Sequence, residues 1–252
     1  THGMTSCAEW TGVLLSTLLK EAGVQDGGDW IVAEGVENVV GASSIHMAKA
    51  MDDCIVCYGM NGEAVRPQQG FPLRLLVPGF EGILNVKWLR RIKVVDQFYM
   101  TYNDYGHLRQ DSDDAALGMQ IGPKSVITYP SGGQQLPGRG FYEISGLAWS
   151  GGGAVARVEV TTDGGRSWVD AEIRGTAHPM AHTRFTFNWE WDGQECELQS
   201  RCTDVLGSVQ PSRAQAIEYW TQRGQPARVK GQDNSIQPWR VESDGSVHNA
   251  IS

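Results

Sequence analysis

The stretch GFPLRLLVPGFEGILNVKWLRRIKV, Gly70 to Val94, decides how the first half of this 252-residue chain is read. Its apolar runs PLRLLVPG (72–79) and VKWLRRIKVVD (86–96) read as two strands, with glycines at 79 and 82 in the turn between them. A plain pair of core strands has no use for cations, yet Arg74, Lys87, Arg90 and Arg91 stand within it. A buried cation needs an anion beside it, or its burial is costly. Two readings satisfy that demand. Either Arg74 pairs with an internal carboxylate while Lys87 snorkels to solvent, or the two hold a bound oxyanion such as phosphate or pyrophosphate. In the second case arginine acts as a fork, lysine as a point charge, and glycine lets backbone N–H groups come close.

Outward from this stretch, residues 1 to about 100 mix helix and strand. EWTGVLLSTLLKEAGV (9–24) has apolar residues at 13, 14, 15, 18, 19 and 22, a helical spacing closed by Gly23. DWIVAEGVE (29–37) reads as a strand, and SSIHMAKAMDD (43–53) as a short helix with serines able to cap it. CIVCYGMNGEAV (54–65) reads as a strand running into a hairpin turn at Asn61-Gly62. Residues 101–122 are polar and acidic and read as an excursion or linker. From Pro123 the character changes to short strands at regular spacing, among them GFYEISGLAWSG (140–151), TRFTFNWEWDG (183–193) and CELQSRCTDVLGSVQP (196–211). TTDGGRSW (161–168) is a hairpin signal, and alternation in ARVEVTT places Val158 and Val160 on one face. That pattern predicts an antiparallel β-sandwich. A further strand is expected around PWRVESDGSV (238–247).

The expected fold is therefore α+β: a mixed α/β domain over 1–122, then an Ig-like antiparallel sandwich with a C-terminal extension over 123–252. Hydrophobic residues make up 40% of the chain, with nine tryptophans, enough for sizeable cores. A net charge of −8 argues against a broad nucleic-acid footprint. No run of about 20 apolar residues is present to span a membrane. The five cysteines (7, 54, 57, 196 and 202) are odd in number and irregular in spacing, unlike a disulfide framework. Cys54 and Cys57 form a C-x-x-C, but on a strand they face opposite sides, and no second pair completes a zinc site. Cys196 and Cys202 share a strand face too far apart to bridge. All five read as buried, unpaired thiols. His178 and His182 have i, i+4 spacing, but Pro179 argues for a loop rather than a helical metal site.

The run MNGEAVRPQQGFPLRLLVPGFEGILNVKWLRRIKV (60–94) resembles the central signature of the sulfite oxidase family of molybdenum enzymes, an NG…GFP-x-R…PG…G…VKWL pattern that borders the molybdopterin pocket. EWTGVLLSTLLKEAGV is similar to the family's W-x-G-x-x-L-x-x-L-L helix, and GFYEISGLAWSGGGAVARVEVTTDGGRSW (140–168) to the start of its Ig-like dimerisation domain. Within the family, SVITYPSGGQQL (125–136) and GFYEISGLAWSG are most similar to the bacterial sulfane and sulfite dehydrogenases.

The resemblance implies a Mo-molybdopterin cofactor contacted by Arg74, after G-F-P, and by Asn85, Val86 and Lys87, before the tryptophan of K-W-L. Gln69 matches a position that is His or Asn in relatives. Glu37 matches a family Asp; a solvated loop acid is its other reading. An active-site tyrosine falls at Tyr105 in YNDYGH, with Tyr102 as the alternative, to hydrogen-bond substrate oxygen and help move a proton. Arg223, in YWTQRG, matches a family arginine that binds the anionic substrate. The family holds its metal by a cysteine in a C-x-G-N segment, and no C-x-G-N occurs here. Cys7 precedes the W-x-G-V run too closely to match that cysteine, so no residue is assigned as metal ligand. The chain resembles the C-terminal two-thirds of a family enzyme, with the ligand expected upstream. The implied activity is oxidation of sulfite or sulfane sulfur, with electrons passed to a c-type cytochrome, in a periplasmic homodimer that meets a sulfur-carrier protein. The alternative is a non-catalytic assembly or dimerisation module of such a complex.

Overall fold

A computed structural model describes residues 4–36, 41–102, 119–222 and 233–251. The chain divides into two compact units, residues 6–120 and residues 121–252 with 1–5.

In the unit of residues 6–120 the W-x-G segment departs from its expected helix. Trp10–Leu14 is strand β1, and helix α1 (Leu15–Glu21) begins only where Leu15 donates its N–H to the Cys54 carbonyl at 2.8 Å. Strand pairing takes precedence because β1 has an antiparallel partner, β4 (Ile55–Met60), with a register shift between Thr11 and Gly12. Gly12 permits the approach: a Cβ there would strike the Val56 carbonyl oxygen. α1 ends as the sequence predicts, with Gly23 at φ +72° and bonds from Gly23 to Lys20 and Val24 to Leu19 that form a Schellman motif.

The serines expected to cap the next helix instead lie fully buried in strand β3 (Ala42–His46). The cap of α2 (Met47–Asp52) is His46, whose Nδ1 accepts from the Ala48 N–H at 3.2 Å. Strand β2 (Trp30–Gly35) lies between β3 and β7 (Leu89–Val95), all antiparallel. A second sheet has β4 at its centre, with β1 on one side and both β5 (Glu63–Ala64) and β6 (Arg74–Leu76) pairing to it. Asn61 and Gly62 turn the β4–β5 hairpin, both with positive φ, as expected. Leu15, Leu19, Ile31, Leu75 and Leu84 are among the buried residues of this unit's core.

The two apolar runs of the 70–94 stretch thus belong to different sheets: β6 pairs with β4, and β7 with β2. Two backbone bonds join the runs to each other, from the Leu75 N–H to the Val86 carbonyl and from the Leu89 N–H to the Leu73 carbonyl, both 2.8 Å, but each run finds its strand partner elsewhere. Their cations separate accordingly. Arg90 and Arg91 are exposed on β7, which among the described residues has a partner on one side only, where charge discourages edge pairing. Arg91 clasps Glu34 through Nε at 3.1 Å and Nη2 at 2.6 Å, and this holds the Glu34 carboxyl below its usual pKa.

The unit of residues 121–252 is a sandwich, as predicted. One sheet runs β11-β10-β14-β15-β16 and the other β12-β13-β9-β8. The strands are β8 (Lys124–Tyr129), β9 (Gly140–Trp149), β10 (Val155–Thr161), β11 (Val169–Asp170), β12 (Glu172–Arg174), β13 (Thr183–Trp191), β14 (Cys196–Asp204), β15 (Trp239–Val241) and β16 (Val247–Asn249). Both sheets contribute to one core, with Ile144, Val158, Val160, Phe185, Leu198 and Trp239 all buried. The buried Gln210 amide ties the two sheets. Its Oε1 accepts from the Ser125 N–H at 2.8 Å on β8 and from the Cys202 N–H at 3.3 Å on β14. The β10–β11 hairpin is the TTDGGRSW turn, in which Asp163 accepts from Thr161, Ser167 and the Arg166 N–H. His178 and His182 lie between β12 and β13, outside any helix.

A third helix, α3 (Arg213–Gln222), was not expected from hydrophobic spacing. Its signal was a capping box. Ser212 donates its N–H to Gln215 Oε1 at 2.8 Å, and the Gln215 N–H returns to Ser212 Oγ at 3.3 Å.

None of the five cysteines is in a disulfide. The expected burial holds for Cys54, Cys57 and Cys202, but Cys196 is only half-buried and Cys7, ahead of β1, is exposed. Burial pushes Cys54 and Cys202 up to about 12 and Cys57 and Cys196 up to about 11. Thiolate is the reactive form, so at pH 8 a thiol reagent is expected to modify one cysteine of the native protein rapidly and all five after denaturation. The raised values also carry a sign for stability. The unfolded thiols ionise near about 8.5 and the folded ones much higher. Each buried thiol's contribution is therefore complete below about pH 8.5 and is lost as pH climbs toward its folded value. Fast modification of Cys54 or Cys57 in the native protein, located by peptide mapping, would contradict the burial of the C-x-x-C.

Candidate anion cradle and the family it belongs to

The carbonyls of one short turn gather the cationic side chains. Pro67–Gln69 is a 3₁₀ turn that ends at Gly70 with φ +108°. Its three successive carbonyls each accept a side-chain donor. Pro67 accepts from Trp88 Nε1 at 2.9 Å, Gln68 from Lys87 Nζ at 2.9 Å, and Gln69 from Arg74 Nη1 at 3.1 Å. Sequence separations of 5 to 21 residues are closed in this way.

Glycines make the approach possible, although not chiefly those in the 79–82 turn. A Cβ on Gly70 would sit 3.0 Å from both Lys87 Cα and the Trp88 nitrogen, and one on Gly35 would sit 2.6 Å from the Lys87 carbonyl oxygen. Lys87 therefore runs between two glycine backbones. Trp88 itself has φ +48°, which a non-glycine residue adopts only when its surroundings enforce it. The Trp88 carbonyl accepts from the Val36 N–H at 3.0 Å, which pins the segment to the end of β2. Gly79 does take a positive φ, +77°, but a Cβ on Gly82 would meet only open space.

Arg74 is the unusual member. It is only 8% exposed, and among the described residues it makes no ion pair. The internal carboxylate that one reading required is not there. Its guanidinium carbon lies 4.6 Å from the Trp10 ring centroid, and its Nε is buried without a hydrogen-bond partner. Burial alone pushes its pKa down, and the guanidinium remains protonated regardless. The residue opposite on β4 is Cys57, a protonated thiol that offers no charge. A buried cation with neutral partners and one donor unused is an incomplete arrangement, and an anion completes it. Lys87 is exposed, bonded to the Gln68 carbonyl and 5.3 Å from the Trp88 ring centroid, and it adds a second positive charge to the same turn.

The other expected contacts are placed differently. Gln69 is half-buried, and its carbonyl serves Arg74. The Asn85 amide is engaged in the fold: its Oδ1 accepts from the Val77 N–H at 2.8 Å, and its Nδ2 donates to the Glu81 carbonyl at 3.2 Å. Val86 is a core residue whose carbonyl accepts from the Leu75 N–H at 2.8 Å. These two therefore brace the loop that delivers Lys87, and their side chains do not join the cluster. Glu37, Tyr105 and Arg223 lie outside the described residues. Tyr102, the alternative for the active-site tyrosine, is 62% exposed. Among the described residues no group of three His, Cys, Asp or Glu could hold a metal ion. Trp10, Trp88 and the 67–69 carbonyls were not singled out in the sequence. The available signal was the pairing of W-x-G with G-F-P-x-R, which becomes meaningful only once β1 and β6 flank β4.

Two family models cover most of the chain. Residues 1–103 match the oxidoreductase molybdopterin binding domain, and residues 116–228 match the Mo-co oxidoreductase dimerisation domain. The chain belongs to the sulfite oxidase family of molybdopterin oxidoreductases. It is similar to mitochondrial sulfite oxidase of Drosophila melanogaster, with 32% identity over 88% of this chain and 44% of that protein. It is 32% identical to a nitrate reductase of Hordeum vulgare over 90% of this chain and 28% of that one. Among solved structures, the sulfane dehydrogenase SoxCD from Paracoccus pantotrophus matches with a TM-score of 0.84 and 40% identity, over 97% of this chain and 63% of that chain. The chain thus spans less than half the length of these two curated relatives. The residues of the cradle fit the family's cofactor. Molybdopterin ends in a phosphate, and the unpartnered Arg74 Nε with its neutral surroundings is a donor set suited to an anion.

Proposed function

We propose that this chain is part of a molybdenum oxidoreductase that oxidises a sulfur compound, sulfite or protein-bound sulfane sulfur, and passes electrons to a c-type cytochrome. The observation that carries the reading is the 40% identity to a sulfane dehydrogenase, sustained over 97% of the chain and through both units. When bound, molybdopterin supplies the redox and oxygen-transfer chemistry. The chain's own residues bind and orient. Arg74 and Lys87 grip the anionic end of the cofactor, with Gln69 and the 85–87 segment shaping the turn around it. Glu37 is a further contact. Tyr105 holds a proton at the substrate oxygen, and Arg223 binds the anionic substrate by charge-assisted hydrogen bonds. A homodimer forms through the second unit, in the periplasm, with a sulfur-carrier protein as one source of substrate. Supporting the dimer is the match of residues 116–228 to a dimerisation domain.

The test is metal and pterin analysis of the purified protein as its gene encodes it, followed by turnover with sulfite, sulfane sulfur and nitrate. The expected result is molybdenum and molybdopterin near one per chain and activity on a sulfur substrate. Absence of the pterin, or activity on nitrate alone, would overturn the reading.

A further inference from the structure

We propose that Trp10 is a positioning residue for Arg74: its indole face holds the guanidinium at the cradle without neutralising it. The inference rests on the reading of Arg74 as a contact of the cofactor's anionic end.

A buried arginine can be stabilised in three ways. A carboxylate would cancel its charge and compete with an incoming anion. A carbonyl or an aromatic face attracts the cation and leaves its net charge intact. Among the described residues Arg74 has the second and third kinds alone: the Gln69 carbonyl at 3.1 Å and the Trp10 ring at 4.6 Å. The carbonyl engages one Nη1 hydrogen and by itself leaves the guanidinium plane free to rotate about that bond. A ring packed against the face removes that freedom and leaves the edge bearing the unpartnered Nε as the donor on offer.

The fold also delivers Trp10 to this place by specific means. Trp10 is the first residue of β1 and sits beside the register shift at Thr11/Gly12, a device that re-aims side chains. Gly12 lets β1 lie close against β4, and Arg74 is carried on the strand at the other side of β4. Trp10 is a half-buried residue of strand β1 rather than part of the sealed core, so bulk packing is a weak account of it.

The test separates ring electrostatics from ring shape. Tryptophans carrying one to four fluorines are placed at position 10 by site-specific incorporation, in the protein as its gene encodes it. Fluorine withdraws the negative charge from the ring face at nearly constant size. The readout is the rate of molybdopterin release, followed by the fluorescence of its oxidised form, so turnover is not involved. Release is expected to quicken stepwise with fluorine count, to on the order of tenfold at four. Trp10→Phe should fall between wild type and Trp10→Leu. Thermal unfolding of the cofactor-free forms should fall by a few degrees at most across the fluorinated series, because the weakened attraction acts there too. A flat release rate across the series would overturn the role of Trp10 while leaving the cofactor reading intact. A wild-type protein that carries no molybdopterin would overturn both.

Discussion

Arg74→Met protein is expected to emerge from purification with little or no molybdopterin, and its cofactor-free form is expected to unfold at a temperature no lower than wild type. The two signs are opposite for one physical reason. In the cofactor-free protein Arg74 is a buried cation with neutral partners and an unused donor, so an apolar side chain of similar length removes a desolvation cost and keeps the packing beside Trp10. With an anion bound, the same guanidinium is half of a buried charge pair. Removing one partner of such a pair costs about 2–5 kcal/mol, at least about thirtyfold in retention. Pterin content and thermal unfolding of the same preparations check both halves. Normal pterin content would refute the assignment. A large loss of stability in the cofactor-free form would show that Arg74 is structural instead.

Phe185→Ala is expected to cost about 3–5 kcal/mol, a large share of the roughly 5–15 kcal/mol by which a domain is stable. Phe185 is fully buried in the sandwich core, and its ring fills the space over Gly146 on the neighbouring strand. A Cβ on Gly146 would run into that ring and into the Val126 carbonyl oxygen, so Gly146→Ala should itself cost about 1–3 kcal/mol by overpacking. Because the two changes share one space, the double variant should lose less than the sum of the single ones. Denaturant unfolding with an unchanged m-value checks this. Strictly additive losses would mean that the ring and the glycine do not constrain each other.

Much of the fold was legible because its signals are local. Alternation along β10, the Asn61-Gly62 and Asp163 turns and the Gly23 stop each depend on neighbours in sequence, where backbone sterics and side-chain period act directly. The errors arose where a distant strand outbid local preference. Trp10–Leu14 has helical spacing but pairs with β4, and Ser43 and Ser44 are good caps that lie fully buried in β3 instead. The α3 helix was missed because its apolar periodicity is weak, with a single buried residue, Ala216.

The candidate site divides along the same line. Part of its membership was readable: Arg74 and Lys87 stand out as cations in an apolar stretch, whatever the fold, whereas Trp10, Trp88 and the 67–69 carbonyls carry no such mark. Sequence alone also determined that the chain carries two kinds of domain and resembles the molybdopterin enzymes. Only the tertiary structure decided which cations act together. Arg90 and Arg91 share the stretch but lie exposed on β7, where Arg91 is paired with Glu34, whereas Arg74 and Lys87 converge on the carbonyls of 67–69. It also decided that, among the described residues, Arg74 has no carboxylate partner and that its guanidinium lies over the Trp10 ring. Adjacency in sequence says which charges are near along the chain. Whether a buried charge is compensated depends on what crosses it from other strands, and that is set by pairing and burial.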